Sequence, residues 1–385
     1  MVDLRVVVHT SPCQLQGRAG LLGEAIKMTS RERVEAALSF EPVDRVPCYD
    51  MIHHVELLER VTGRRYTREN GLDLLCETIA ARLDATRGLA APGTHQVYRD
   101  EEGFVYQGEW WTSWIIERPF RDVEGALAFV REAIGRLEAM DPESVYTFHG
   151  PANVTTGAEA LDSREQFLAM RDRLGGAVLF HTESPVGLDT AYHRLGLELF
   201  SYAYAEDPGL ISRWIEALNR HEVARVQALR GAYEMSPVAL VYSDIADSHA
   251  TIFSPAFLRK ELMPRLERLV AAWHAHGVKA IYHSDGNLWA VLDDLVATGI
   301  DGLNPLEPLS GMDAALVRVH YPRLVLVGGV DASKLLPYGT PEQVRAEVAR
   351  LLEATGRCGY LLGSSTEIHP ACQVENVLAM WEAAR

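Results

Sequence analysis

Through the second half of the chain, short unbroken apolar runs alternate with longer stretches in which apolar residues return every third or fourth position. The runs are Ala177-Val-Leu-Phe, Val238-Ala-Leu-Val-Tyr, Ile281-Tyr, Gly302-Leu-Asn-Pro, Leu324-Val-Leu-Val-Gly-Gly-Val and Gly359-Tyr-Leu-Leu-Gly. A strand buried on both faces reads as a continuous Val/Ile/Leu run rather than an alternating one. Strands that alternate with helical periodicity imply a parallel sheet with helical crossovers. Closed into a ring, these units give the expected fold, a (β/α)8 TIM barrel.

The first half adds elements to that frame. From Met28 a helix start is written as Thr29-Ser30-Arg31-Glu32, with Val34, Ala37 and Leu38 on one face. A Pro-bounded connector then leads to Cys48-Tyr-Asp-Met-Ile, expected as the first barrel strand. Helical spacing spans Asp73 to Arg87, Val123 to Ala139 and Ser163 to Arg173, and runs from Leu195 to Tyr233 with a restart at Asp207-Pro208-Gly209. Between His95 and Phe120, aromatics and β-formers around Asp100-Glu-Glu-Gly predict a β-hairpin excursion. The domain reading is one barrel over 28–385 with an N-terminal helical extension. Residues 1–27 do not resemble the remainder, and Met28 is a candidate start.

The runs end in ionisable residues. In a barrel the loops after the strands converge on one rim, where active sites sit, so His181, Glu183, Asp244, His283, Asp285, Glu307, Asp331 and Glu367 are expected around one cavity. Helix capping is the competing explanation for Asp247 and Asp331. His283 and Asp285 carry the stronger signal, because two ionisable groups one residue apart at a strand end are costly without a partner or ligand. Asn304 and Glu307 end the next strand. Trp110, Trp111 and Trp114 either line a cavity or pack the hairpin; Trp111 is the candidate substrate contact.

Composition narrows the class. The 385 residues carry a net charge of −16, which disfavours nucleic acid and anionic membranes. An acidic ligand needs local cations, for which Arg194, Lys260 and Lys334 are candidates. No apolar run is long enough for a membrane span, and no secretory signal is evident, so a cytoplasmic protein is expected. The 5 cysteines, Cys13, Cys48, Cys76, Cys358 and Cys372, have no CxxC spacing and read as reduced thiols. No GxGxxG, phosphate-loop, HExxH or GxSxG motif is present.

Met28-Thr-Ser-Arg-Glu-Arg-Val-Glu-Ala-Ala-Leu followed by Pro42-Val-Asp-Arg-Val-Pro resembles the opening of the uroporphyrinogen decarboxylase superfamily. Asp244 and Asp247 before Phe253-Ser-Pro-Ala-Phe, and Glu375-Asn-Val-Leu-Ala-Met near the end, extend the resemblance over Met28 to Arg385. His283-Ser-Asp-Gly-Asn is similar to the His-x-Cys-Gly-Asn of its cobalamin-linked methyltransferase branch. True decarboxylases of the family carry an arginine-rich loop after the first strand; here Cys48-Tyr-Asp-Met-Ile-His-His-Val-Glu has no arginine until Arg60.

The methyltransferase branch implies zinc bound by His, Cys and a second Cys after the last strand. Here the first cysteine is Asp285 and the second falls in Ser364-Ser-Thr-Glu. Without thiolates the site is harder and more suited to polarising oxygen than to activating a thiol. The expectation is therefore a methyltransferase moving a methyl group from a small O-methyl or related donor to a corrinoid on a separate partner protein. His283, Asp285 and Glu367 are the expected ligands of zinc or another divalent metal. His283, Asp285, Asp244 and Glu183 are the expected catalytic residues, with His181, Trp111, Asn304 and Glu307 binding substrate. A metal-free acid–base site is the rival reading of the same residues. The alternatives for the whole protein are a decarboxylase or lyase acting on a small carboxylate or tetrapyrrole, and a non-catalytic tetrapyrrole or corrinoid binder. Monomer and homodimer remain equally open.

Overall fold

A computed structural model of the chain describes residues 27–89, 96–108, 112–140 and 164–385, with backbone alone at 182 and 183. The 1–26 extension, Trp110 and Trp111 lie outside the described residues. The strands in chain order are β1 (Ala85–Thr86), β2 (Gln96–Arg99), β3 (Val105–Gly108), β4 (Ser113–Glu117), β5 (Val178–Leu179), β6 (His181–Pro185), β7 (Val238–Tyr242), β8 (Lys279–His283), β9 (Gly302–Leu306), β10 (Val325–Gly328) and β11 (Tyr360–Leu361).

Six strands form a parallel sheet in the order β11-β10-β9-β8-β7-β6, and β1 pairs with β5. The segment around Cys48–Ile52, expected as the first strand, closes the ring by single parallel bridges. Cys48 faces Leu362, Tyr49 faces Ala85 and Ile52 faces Ile368. Tyr49 N donates to Leu362 O at 2.8 Å, and Leu362 N donates to Pro47 O at 2.9 Å. Counting β5 and β6 as one run, this is the expected (β/α)8 ring.

Strand alternation divides the barrel in two. Tyr49, Ala85, Val178, Phe180, Val238, Leu240, Ile281, Val325, Val327 and Leu361 pack together inside, while their neighbours Leu179, Ala239, Val241, Ala280 and Tyr282 join the cluster shared with the helices. One end of the interior is plugged by the helix Ser30–Leu38, whose Val34, Ala37 and Leu38 join the inner cluster. Thr29 and Glu32 form the capping box that starts this helix. Beside it, buried Asp84 takes Arg33 and Arg45, each at 2.6 Å. The opposite, C-terminal end is left for polar residues.

The excursion is a three-stranded antiparallel sheet, β2-β3-β4, rather than a two-stranded hairpin. Trp114 on β4 is 45% exposed. Val123–Ala139 is helical as expected, and Asp207 caps the restarted helix Pro208–Ala228 through Leu210 N. The helix expected over Asp73–Arg87 ends earlier, as Gly71–Arg82, and gives way to β1. Cys48, Cys76 and Cys372 are free and buried. Among the described residues no helix is long and apolar enough to cross a membrane.

Candidate active site

β8 delivers His283. Ile281 points into the barrel, so His283 and then Asp285, each two residues further, continue on the inner side at the C-terminal rim. On the neighbouring strand β9, Asn304 is in register with His283. His283 Nδ1 lies 2.9 Å from Asn304 Oδ1, and this pairing makes Nδ1 the donor. Nε2 is then left with its lone pair on the side of Asp244, whose Oδ1 is 3.9 Å away. Burial, then the charge of Arg87, pushes the His283 pKa down, which keeps the imidazole neutral and able to accept.

Asp244 follows β7, the other neighbour of β8, in the same inward phase as Val238 and Leu240. Its Oδ1 accepts from Asp285 N at 3.2 Å. Asp285 is itself held back from water: burial, then the charges of Asp244 and Glu307, push its pKa up to about 7. Its Oδ1 is buried and has no hydrogen-bond partner among the described residues. Asp244, His283 and Asp285 each present a ligand atom, and these atoms all lie within 4.8 Å of one another. A buried carboxylate oxygen without a donor, beside an imidazole lone pair and a second carboxylate, fits a hard divalent cation.

Glu307 holds the turn after β8, accepting from Gly286 N at 2.6 Å and from Ser310 Oγ at 3.3 Å. Its expected substrate contact is thereby replaced, for Oε2, by a scaffolding role. Glu367 is not in the ligand group; its Oε2 accepts from Thr366 Oγ1 at 2.7 Å. Adjacent strands lie about 4.8 Å apart, so Asp244 on the strand beside β8 reaches the imidazole. Glu367 arrives beyond β11, three strands around the ring from β8, and acts on Asp285 only through its charge.

His181 is not at the rim site. Val178 and Phe180 point inward, so His181 points outward, stacked on Trp273 with centroids 4.9 Å apart and on Phe167 at 5.4 Å. Its Nε2 pairs with Ala232 O at 2.8 Å, and burial lowers its pKa to about 3. The backbone of Glu183 is in β6, two residues on in the same strand; its side chain lies outside the described residues. Asp331 caps the turn at Ser333, Lys334 and Leu335, and Asp247 accepts from His249 N and Ala250 N, so both act as loop caps. Of the expected cations, Arg194 pairs with Glu102 and covers the Phe104 ring, Lys260 pairs with Glu261 and Tyr204, and Lys334 is exposed.

Two residues at the site had no signal in the sequence reading. Arg87 stands just beyond β1, and its charge acts on Tyr49, His283 and Asp285. A two-residue strand, written Ala-Thr inside a helix-compatible stretch, concealed its rim position. Asp189, 2% exposed in the first turn of the helix Leu188–Leu195, lies within the field of Asp244. Burial, then that charge, raises its pKa to about 7, and its Oδ1 has no hydrogen-bond partner among the described residues.

Comparison with known proteins agrees with the fold. A methyltransferase from Methanosarcina mazei shares the fold, with a TM-score of 0.63 and 20% sequence identity over 93% of this chain and 98% of its own. No curated protein matches the sequence. Residues 205–385, which carry β7 to β11 and all three of Asp244, His283 and Asp285, match the family described as uroporphyrinogen decarboxylase (URO-D). That likeness to the family covers residues 205–385, a little under half of the chain.

Proposed function

We propose that this protein is a cytosolic methyltransferase that removes a methyl group from the oxygen of a small donor and passes it to a corrinoid carried by a separate protein. The observation that carries the reading is the convergence of Asp244, His283 and Asp285 within 4.8 Å at the barrel rim, with a buried Asp285 oxygen left without a partner among the described residues. The fold shared with a methyltransferase supports the transfer class.

Breaking the methyl–oxygen bond leaves an electron pair on the oxygen, and the site must lower the cost of that charge. A divalent cation held by the three residues would supply Lewis acidity at that oxygen. The chain's own contribution is orientation. Asn304 fixes the imidazole of His283, and Glu307 fixes the turn through Gly286 N. Asp285, with its pKa near neutrality, has the proton affinity to deliver a proton to the departing oxygen when no cation occupies it.

The test is to incubate purified protein with a reduced corrinoid protein and a panel of methoxylated donors, following methyl–cobalt absorbance. Methylation lost in His283→Ala and Asp285→Ala is the expected result. Absence of methyl–cobalt across donors and cations would overturn the reading.

A further inference from the structure

We infer that the outer face of the β2-β3-β4 sheet is a self-association surface, onto which a second copy of this chain packs about a two-fold axis running along β3. One face of the sheet is turned to the body of the protein. Tyr98, Tyr106 and Ile115 form a row across the three strands. Tyr98 and Tyr106 stack with centroids 5.0 Å apart, and Tyr106 and Ile115 pack against the main core. Side chains alternate along a strand, so the rows on either side of this one point away from the core.

Those outer rows are Val97, Gln107 and Trp114, then Arg99, Val105 and Glu117. Val97 is 63% exposed and Trp114 45%. Ile116, the extra residue where the register between β3 and β4 shifts, is 43% exposed. Single exposed apolar side chains need no explanation, but three on one small sheet, an aromatic among them, mark a contact surface.

Charge decides the occupant. Arg99 and Glu117 are the only Asp, Glu, Lys or Arg residues in the three strands, and they pair across β3 at 3.1 Å. The face is thus neutral in a chain of net charge −16, and a strongly charged partner finds nothing there to hold. A second copy does. A half-turn about β3, with the two sheets stacked about 10 Å apart, sets β2 of one copy over β4 of the other. Val97 then meets Trp114 of the second copy, and the Arg99–Glu117 pair, kept within each copy, meets its own image with the signs reversed. A two-fold axis across the strands would lay β2 over β2 and lose both matches.

The face is small. It spans about 10 Å across its strands and about 17 Å along them, well short of the roughly 800 Å² per partner of a standard interface. The dimer is therefore weak and reversible, with a dissociation constant on the order of 10–100 μM.

Sedimentation velocity of the full chain over about 1–500 μM covers that range. The weight-average sedimentation coefficient should rise with concentration toward that of a dimer. Trp114→Ala should raise the dissociation constant at least about tenfold, as loss of a central aromatic anchor does. Val319→Ser, at an exposed apolar position on the helix Ala314–His320, should leave it unchanged. Glu117→Arg should weaken the dimer, and adding Arg99→Glu should restore it, because the reversed pair again meets its image with opposite signs. Thermal melts of each variant separate loss of contact from loss of fold, and the charge reversal still decides should Trp114→Ala misfold. A monomer at every concentration would overturn the inference and leave the face to a different protein or to water. So would a dimer indifferent to Trp114→Ala, or one weakened by Glu117→Arg that the double variant does not recover.

Discussion

His283 and Asn304 sit in register on neighbouring strands with Nδ1 2.9 Å from Oδ1, and that pair decides which imidazole nitrogen faces the acidic groups. Asn304 is 2% exposed, so nothing from solvent can replace it. Asn304→Leu keeps the volume and removes the acceptor. Divalent-ion affinity should fall about tenfold to a hundredfold, the usual cost of losing a group that orients a ligand histidine, whereas Asn304→Asp should retain it. Competition titration against a chromogenic chelator reads both. Equal affinity in the leucine variant would show that packing alone orients the ring.

Gly286 links the ligands to their support. It has φ of +87°, and a Cβ there would meet Asp247 O at 2.4 Å, backbone that cannot step aside. Its N–H is held by Glu307. Gly286→Ala should therefore cost about 1–2 kcal/mol in left-handed strain alone, with the clash added, and should move Asp285 with it. Urea unfolding should show lower stability, and ion affinity should fall together with it. A stable variant with unchanged affinity would mean that the turn relaxes without disturbing Asp285.

The barrel was legible because its strands are buried on both faces and so announce themselves as apolar runs. His283 with Asp285 was legible because burying two ionisable groups in such a run has no structural purpose. What failed was phase and distance around the ring. His181 and His283 both end apolar runs, yet Phe180 takes the inward position and turns His181 out to Trp273. Glu367 was placed at the site by family correspondence, but the ring puts three strand steps between β11 and β8, and it is Asp244 on the adjacent strand that stands with His283 and Asp285. Arg87 was hidden because a two-residue strand leaves no periodicity to read.

The oxygen-rich donor set should also govern ion choice. Asp285 stands where the resembling branch has a thiolate, and carboxylates favour harder ions than thiolates do. Asp285→Cys should raise affinity for zinc and cadmium relative to manganese and magnesium, with a cadmium–thiolate absorbance band appearing on titration. Cadmium binding without that band would mean that position 285 does not touch the ion.

His181 supplies a stability prediction whose sign follows from burial. Its pKa is lowered from 6.5 to about 3, first by burial in the stack between Phe167 and Trp273. Between those two values the unfolded chain binds a proton that the folded chain does not, so the slope of unfolding free energy with pH is positive. The stabilisation is fully present above about pH 6.5 and is lost progressively as the pH falls toward 3. Asp50 and Asp189, both raised to about 7, work in the opposite direction as pH rises, so the wild-type curve alone mixes the terms. The difference from His181→Phe isolates one of them. Phenylalanine preserves the ring stack and leaves Ala232 O without its partner, a roughly constant cost of about 1 kcal/mol. The variant should thus be less stable than wild type near neutrality but lose roughly 2 kcal/mol less on going to about pH 5. Urea unfolding at several pH values measures the difference, and parallel curves for the two proteins would show that His181 takes up its proton in the folded state as readily as in the unfolded one.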